Sequence, residues 1–251
     1  MDMPAVNFST KALIFGSFVT ILVFVSGPFG YKFLGVGLQS SLIAVLIAVF
    51  GGLIISISSG LFLFKSIRDS MNLDRNLCVI SLLVSLLPLI IMAPQILAAV
   101  SVPPIHDITT DTENPPSFVE AKLFKNGSKN SPEYGDATWP AERLAATTLT
   151  AYPEVRPINS NLKIPEAVEK SRAVLKSMGL EIISVDAEGG LLEAVDTSFW
   201  FGFKDDLVVR IQETSNGVRI DIRSKSRVGQ SDLGVNAKRV LAFIDGFTSG
   251  N

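Results

Sequence analysis

The sequence predicts a membrane-anchored α+β protein, in which three transmembrane helices precede a two-layer domain of antiparallel sheet, about four strands, covered by two helices. Three observations predict it. The mean hydropathy of the 251 residues is +0.39, which is high for a soluble protein. The apolar excess is confined to residues 1–100, and the rest has the composition of a globular domain long enough to bury its own core. In that second part helical and strand-like periodicities follow one another.

The anchor is predicted from three apolar runs, residues 12–31, 34–64 and 77–100, each long enough to cross a bilayer. They contain no Asp, Glu, Lys, Arg or His, which disfavours an ion-coupled transporter. Gly52, Ser56 and Gly60 recur at every fourth position of the second run. This pattern lets helices approach closely, either within the anchor or between two copies of the chain.

Basic residues flank these runs unevenly. One precedes the first run, three lie between the second and third, and one lies between the first and second: Lys11, then Lys65, Arg68 and Arg75, and Lys32. The positive-inside rule therefore predicts a cytoplasmic N-terminus. Three crossings then place the C-terminal domain on the other side, most simply in the periplasm of a bacterium, as part of an inner-membrane protein.

The charge of the second part excludes one class of partner. From Ser101 onward 17 Lys and Arg face 21 Asp and Glu, a net charge of about −4. Nucleic-acid binding needs a basic field, so no nucleic-acid partner is expected. Cys78 is the only cysteine and lies in an apolar run, so neither a disulfide nor a thiolate metal cluster is predicted, and no cofactor is expected.

Residues 101–163 are predicted to be an extended linker and loop region, rich in Pro, Thr and Asp, that belongs to the soluble domain. Within it, residues 122–139 have the composition of a long loop. The only histidine, His106, precedes Asp107 and lies near Asp111. These three are the candidate catalytic residues, with His106 as a general base.

A metal site made of the same three residues is the weaker interpretation, because their spacing matches no established ligand motif and no metal is therefore predicted. The alternative to any catalytic role is that they satisfy backbone groups of an irregular segment. No G-x-S-x-G elbow accompanies the histidine, so a serine hydrolase is not predicted.

The folded core is predicted over residues 164–251. A helix begins at Ile164, with Pro165 in its first turn, and stops at Gly179. Four strands follow it, over residues 181–186, 191–197, 207–212 and 218–227. A closing helix is predicted to start near Ser231 or Asp232. The turn of the last hairpin is predicted at Asn216-Gly217. On that register Arg210 lies opposite Arg223, an unfavourable like-charge pair.

Two segments of this core are candidates for binding. SFWFGFKDD, residues 198–206, has more aromatic residues than one strand face needs, so Trp200 is expected either to pack at the sheet edge or to form a ligand-stacking or membrane-facing lip. In the last strand Arg223, Lys225 and Arg227 share one face and lead towards a helix start at Ser231. That face is either a solvated charged surface or a site for an anion.

Several stretches together resemble the domain of unknown function numbered 1499. They are PPIHDITTDTENPPSF, YPEVRP, MGLEI, DTSFWFGFKDDLVVRI and RSKSRVGQSDLGVNAKR, and they extend from Pro103 to Phe247. The resemblance implies a soluble domain with this boundary. It also implies that the three-span anchor is one of the forms in which bacterial members occur, and it implies no reaction.

Three hypotheses for function follow. The first is a binding or scaffolding domain for an anionic lipid or ligand, or for a membrane-protein partner, held at the lipid bilayer by the anchor. The second is an enzyme in which His106 acts with Asp107 and Asp111 while the basic segment holds the substrate. The third is a structural accessory subunit of a membrane complex.

Overall fold

The computed structural model describes residues 6–121 and 128–249. The chain divides into two compact units, with the boundary between Leu97 and Ala98.

The first unit consists of three long helices, α1 (Phe8–Leu34), α2 (Leu38–Arg68) and α3 (Asn72–Ser101), the last of which extends into the second unit. Each is long and apolar enough to cross a membrane. The three predicted apolar helices are therefore confirmed in number and place.

Small residues pack α2 against α3. The Ser56 and Ser85 hydroxyls lie 2.7 Å apart, and the Ser59 hydroxyl donates to that of Ser81 at 2.9 Å. A Cβ atom at Gly52 would collide with the carbonyl oxygen of Ser85. The predicted stripe of small residues is thus used inside the anchor, where the hydroxyls satisfy one another away from water.

The second unit is built on an antiparallel sheet. Its strands are β1 (Asp107–Thr109), β2 (Ile158–Ser160), β3 (Glu181–Asp186), β4 (Leu191–Thr197), β5 (Lys204–Thr214) and β6 (Gly217–Ser226). The order across the sheet is β1-β6-β5-β4-β3, and β2 pairs with the same edge of β6 as β1 does. The sheet has six strands where about four were predicted, because β1 and β2 are three residues each and too short to show a periodicity.

Three helices accompany the sheet: α4 (Ala141–Ala151), α5 (Ile164–Ser177) and α6 (Val235–Thr248). Helices α5 and α6 pack on one face, which confirms the two-layer α+β arrangement. The residues between them are apolar and buried, among them Leu192, Leu207, Val209, Ile220, Ile222, Val168, Leu175, Val240 and Phe243. Residues 101–163 contain β1, α4 and β2 in addition to irregular segments, so they form part of this fold.

The register of the last hairpin differs from the prediction by two residues. Thr214 pairs with Gly217, so the turn is Ser215-Asn216. Gly217 is the first residue of β6, and only glycine fits there because a Cβ atom would collide with the backbone of Ser160 in β2. A shift of two residues keeps every side chain on its predicted face but changes its partner: Arg210 pairs with Asp221, and the expected like-charge pair with Arg223 does not form.

Helix α6 begins at Val235, later than predicted. Asp232 nevertheless serves its start, because its carboxylate accepts hydrogen bonds from the backbone N–H groups of Gly234 (2.7 Å) and Asn236 (3.0 Å). Asn236 and Arg239 of this helix are buried.

Candidate functional site

The face of the sheet opposite α5 and α6 carries charged side chains. Without a bound anion, this face was expected to be a charged surface in contact with solvent. That expectation is wrong, because Asp221 is 0 % exposed, Arg223 2 % and Lys225 4 %. Irregular segments on either side of residues 122–127 cover this face, and they contact it through Pro116, Phe118, residues 119–121, Pro132 and Glu133.

Arg223 is the centre of this buried face. Its Nε and Nη2 atoms donate to the two carboxylate oxygens of Asp107, both at 2.9 Å. Nη1 donates to the carbonyl oxygen of Pro116 and Nη2 to that of Pro132, both at 3.0 Å. The guanidinium also lies 4.9 Å from the ring centroid of Phe118. One side chain therefore joins the strand β1 to both covering segments.

Lys225 shares the same carboxylate. Its Nζ atom lies 3.0 Å from Asp107 Oδ2 and donates to the carbonyl oxygen of Glu133 at 2.6 Å. Burial acts to raise the pKa of the Asp107 carboxyl, but the charges of Arg223 and Lys225 outweigh it and hold that pKa below its ordinary value. Asp107 is therefore ionised, and Arg223 and Lys225 hold its carboxylate in place.

Glu193 holds the covering segment from the middle of β4. Although its side chain is fully buried, its two carboxylate oxygens accept hydrogen bonds from three consecutive backbone N–H groups, those of Val119, Glu120 and Ala121. Three N–H donors therefore compensate the buried carboxylate. The sequence held no signal for this contact beyond an ionisable residue with apolar residues on both sides of it.

Two further arginines on this face are paired with carboxylates. Arg210 lies 2.9 Å from Asp111 and 3.0 Å from Asp221. Arg227 donates to both oxygens of Asp206, at 2.9 and 2.6 Å. The cations of the predicted binding segment are therefore held by carboxylates of their own domain.

The candidate catalytic residues do not converge on one point. Asp107 is held by Arg223 and Lys225, and Asp111 by Arg210. His106 is 5 % exposed, and its Nε2 atom lies 3.7 Å from Asp136 Oδ2. The space beside His106 does not admit a water molecule. Within residues 6–121 and 128–249, no three His, Cys, Asp or Glu residues are grouped so as to hold a metal ion.

A cavity of about 370 Å³ opens at the end of β6, a volume within the range of small-molecule sites. Of the five residues predicted to bind a ligand, Lys225 and Arg227 line this cavity, and Arg223, Ser231 and Trp200 do not. The other residues of its wall are Phe118, Ala121, Ser128, Lys129, Asn130, Ser131, Pro132, Asp206 and Ser226.

The segment that forms one wall of this cavity is fixed to the end of β6. The backbone N–H groups of Lys129 and Asn130 donate to the carbonyl oxygen of Arg227, at 2.9 and 3.0 Å. The Asn130 amide donates to the carbonyl oxygens of Ser226 and Gly229, both at 2.9 Å. Part of the predicted long loop, residues 122–127, lies outside the described residues, and residues 128–139 contain no helix or strand.

A second charged cluster lies on the other face, beneath α6. Arg239 donates to Asp196 at 2.6 Å and to Asp205 at 2.9 Å, and its other terminal nitrogen contacts Ser224 and Asn236. Sequence analysis missed this cluster. The available signal was the spacing, because Asn236 lies four residues before the buried Val240 and therefore on the same side of the helix.

Residues 107–247, more than half of the chain, match the family described as Protein of unknown function (DUF1499). The chain belongs to the DUF1499 family. The resemblance seen in the sequence is thus confirmed. No curated protein matched the chain. The DUF1499 region begins with the first residue of β1 and ends in the last turn of α6, so it comprises the whole sheet and its helices.

Proposed function

We propose that this DUF1499 protein is a membrane-anchored binding protein that holds a small anionic ligand in the cavity at the end of β6. Charge is the observation that carries the proposal. Among the described residues, three cations, Lys129, Lys225 and Arg227, line the cavity against one carboxylate, Asp206, in a domain whose net charge is about −4. A local positive potential in an acidic domain favours an anion at that place.

The carboxylates already paired with these cations indicate which kind of ligand could bind beside them. Lys225 and Arg227 already contact carboxylates, so a ligand there shares charge with existing ion pairs instead of neutralising bare cations. Lys129 is exposed and is the residue expected to contact the anion directly. Phe118 supplies an apolar surface beside it. A phosphate or carboxylate group on a partly apolar molecule fits this wall, and a lipid headgroup or a free metabolite are two sources of it.

The binding test uses the full chain in mild detergent. Both tryptophans lie in the second unit, so their fluorescence reports on its thermal unfolding alone. We expect short-chain phosphatidylglycerol to raise the unfolding temperature and phosphatidylcholine of equal chain length to leave it unchanged. A ligand at 100 times its Kd adds about 2.7 kcal/mol to the free energy of unfolding. Inorganic phosphate tests the soluble source of the same chemistry.

The matched variants are Lys129→Glu at the cavity and Lys238→Glu on the exposed side of α6, which make the same change of charge. Lys129→Glu should abolish the shift, and Lys238→Glu should retain it. Equal shifts in both variants, or equal shifts with phosphatidylcholine and phosphatidylglycerol, would remove the proposed site.

We further propose that the N-terminus is cytoplasmic and that the DUF1499 domain is periplasmic. The distribution of basic residues supports this orientation, with Lys65, Arg68 and Arg75 around the α2–α3 connection. A reporter that is active only in the periplasm, fused after the C-terminal residue, should be active. A reporter that is active only in the cytoplasm should be silent at the same position, and the reverse result would contradict the orientation.

A further inference from the structure

The loop between β4 and β5 presents two aromatic side chains to solvent at a fixed place. Phe199 is 84 % exposed and Trp200 46 % exposed. Their rings meet edge to face, with centroids 6.2 Å apart. Neither ring is buried in the core, so the two neighbouring rings together expose an apolar area.

Hydrogen bonds close this loop at its base. The backbone N–H of Ser198 donates to the carbonyl oxygen of Phe203 at 2.8 Å, and the N–H of Phe203 donates to the Ser198 hydroxyl at 2.9 Å. The N–H of Gly202 donates back to the carbonyl oxygen of Ser198 at 3.0 Å, and Gly202 takes the positive φ of +68° that the tight turn needs. The rings of Phe201 and Phe203 stack beneath, 4.8 Å apart. The loop is therefore an ordered projection, named here the aromatic tip (residues 198–203).

The aromatic tip lies at the end of the sheet where the chain arrives from α3. Thr197 pairs with Lys204 at the base of the tip. The N–H of Arg227 donates to the Lys204 carbonyl oxygen at 3.0 Å, and the N–H of Ser226 donates to that of His106 at 2.9 Å. His106 directly precedes β1, so the tip and the incoming chain share one end of the sheet.

The link from α3 to this end is short. Helix α3 ends at Ser101, and β1 begins at Asp107. Six Cα–Cα steps extend over at most about 20 Å. Helix α3 is long and apolar enough to cross a membrane, and the short link keeps this end of the sheet within that distance of the helix end. A third exposed apolar side chain, Val235 at the start of α6, follows the turn from β6 at the same end.

We propose that the aromatic tip inserts Phe199 and Trp200 into the interfacial layer of the membrane that holds the anchor. Trp is enriched at that depth because its ring is apolar and its indole N–H is polar. Lys204, exposed at the base of the tip, can keep its charge among the headgroups while its stem lies along the apolar layer. The occupant of the tip is the lipid surface, and this inference does not depend on the ligand proposed for the cavity.

The test is depth-dependent quenching of tryptophan fluorescence in the reconstituted full chain. The vesicles are phosphatidylcholine carrying bromine atoms near the top of the acyl chains. Trp200 should be quenched, whereas Trp139, which is 9 % exposed in the domain, should not be. Wild type should therefore lose up to half of its emission, and Trp200→Phe should lose none. Since bromolipid is present in both leaflets, the orientation of insertion does not affect the result.

A control places the same probe at the opposite end of the sheet. Val185 in β3 is 37 % exposed and lies far along the strands from the tip. In a V185W/W200F variant, the introduced indole should escape quenching. Equal quenching of wild type and Trp200→Phe would overturn the proposal and leave a protein partner or a second copy as the occupant. Quenching of the V185W probe as strong as that of Trp200 would overturn it as well, because the contact with lipid would not be specific to this end.

Discussion

The two faces of the sheet are buried in opposite ways. On one face the side chains are mostly aliphatic, apart from the Arg239 cluster beneath α6, and two regular helices cover them, so burial removes apolar area from water. On the other face the side chains are charged and irregular segments cover them, so every group has to find a partner. Buried apolar area stabilises the first face, whereas the stability of the second face depends on the geometry of its hydrogen bonds.

This difference explains why the charged face needs irregular backbone. The carbonyl oxygens of Pro116 and Pro132 accept from Arg223, and that of Glu133 accepts from Lys225. Most carbonyl oxygens of a helix already accept an intrahelical N–H, so fewer of them are open to a charged side chain of a neighbouring element. A covering segment without regular structure leaves both N–H and C=O groups available for the buried ions.

The largest loss of stability is expected at Arg223, on the charged face. Replacement of Arg223 by Met should lower the free energy of unfolding by about 3–5 kcal/mol, because Asp107 is left buried with an incomplete set of partners. The measurement is denaturant unfolding of the full chain in mild detergent, followed by tryptophan fluorescence. Arg172→Met is the control, because the Arg172 side chain is 44 % exposed and that of its partner Glu169 is 67 % exposed, so the loss there should stay below about 1 kcal/mol. Equal losses would mean that burial of the pair is unimportant.

The charged face should also be sensitive to acid. The pKa of Asp107 in the folded protein lies below its ordinary value of 3.8, so the stability that its charge contributes is complete above that pH and is lost as the pH falls through the folded pKa. The stability difference between wild type and Asp107→Asn, about 3 kcal/mol at neutral pH, should therefore shrink below about pH 4. A difference that stays constant down to pH 2 would show that the carboxylate charge does not contribute.

The apolar face should respond without any dependence on pH. Leu207→Ala should lower the free energy of unfolding by about 2–4 kcal/mol, since Leu207 is fully buried and its loss leaves a cavity. The same unfolding measurement, repeated from neutral to acidic pH, should give one value for this loss. A loss that changes with pH as that of Asp107→Asn does would mean that the two faces are not independent.

The smallest and most local effect is expected at Glu193. Glu193→Gln should cost about 1–3 kcal/mol, because an amide offers one acceptor oxygen to three N–H donors. Hydrogen exchange followed by mass spectrometry should show faster exchange at Val119, Glu120 and Ala121. Glu213→Gln, an exposed position on β5, serves as the control and should change neither quantity. Unchanged protection in Glu193→Gln would show that the covering segment is held by other contacts.

The helix-covered face could be predicted from sequence because its signal is local. The bounds of β3 and β4 and the start of α5 agree with the prediction, since each follows from the spacing of apolar residues over six or more positions. The partners of Arg223 had no such signal. Asp107 lies 116 residues away, and alternating charges along a strand look the same whether the face is solvated or covered. The cavity was predicted in part, through Lys225 and Arg227, whereas Phe118 and Asn130 come from segments without periodicity.

The two-residue difference in the β5–β6 hairpin has a consequence for how the sheet assembles. Sliding β6 by two positions would keep all aliphatic side chains on the helix-covered face, so the hydrophobic pattern alone permits more than one alignment. The alternative alignment would place Arg210 opposite Arg223, both without the opposing Asp221. The buried ion pairs therefore favour one alignment of β5 and β6. They discriminate among alignments that are equivalent for the aliphatic core, because the observed alignment places Arg210 opposite Asp221 and Lys225 opposite Asp206.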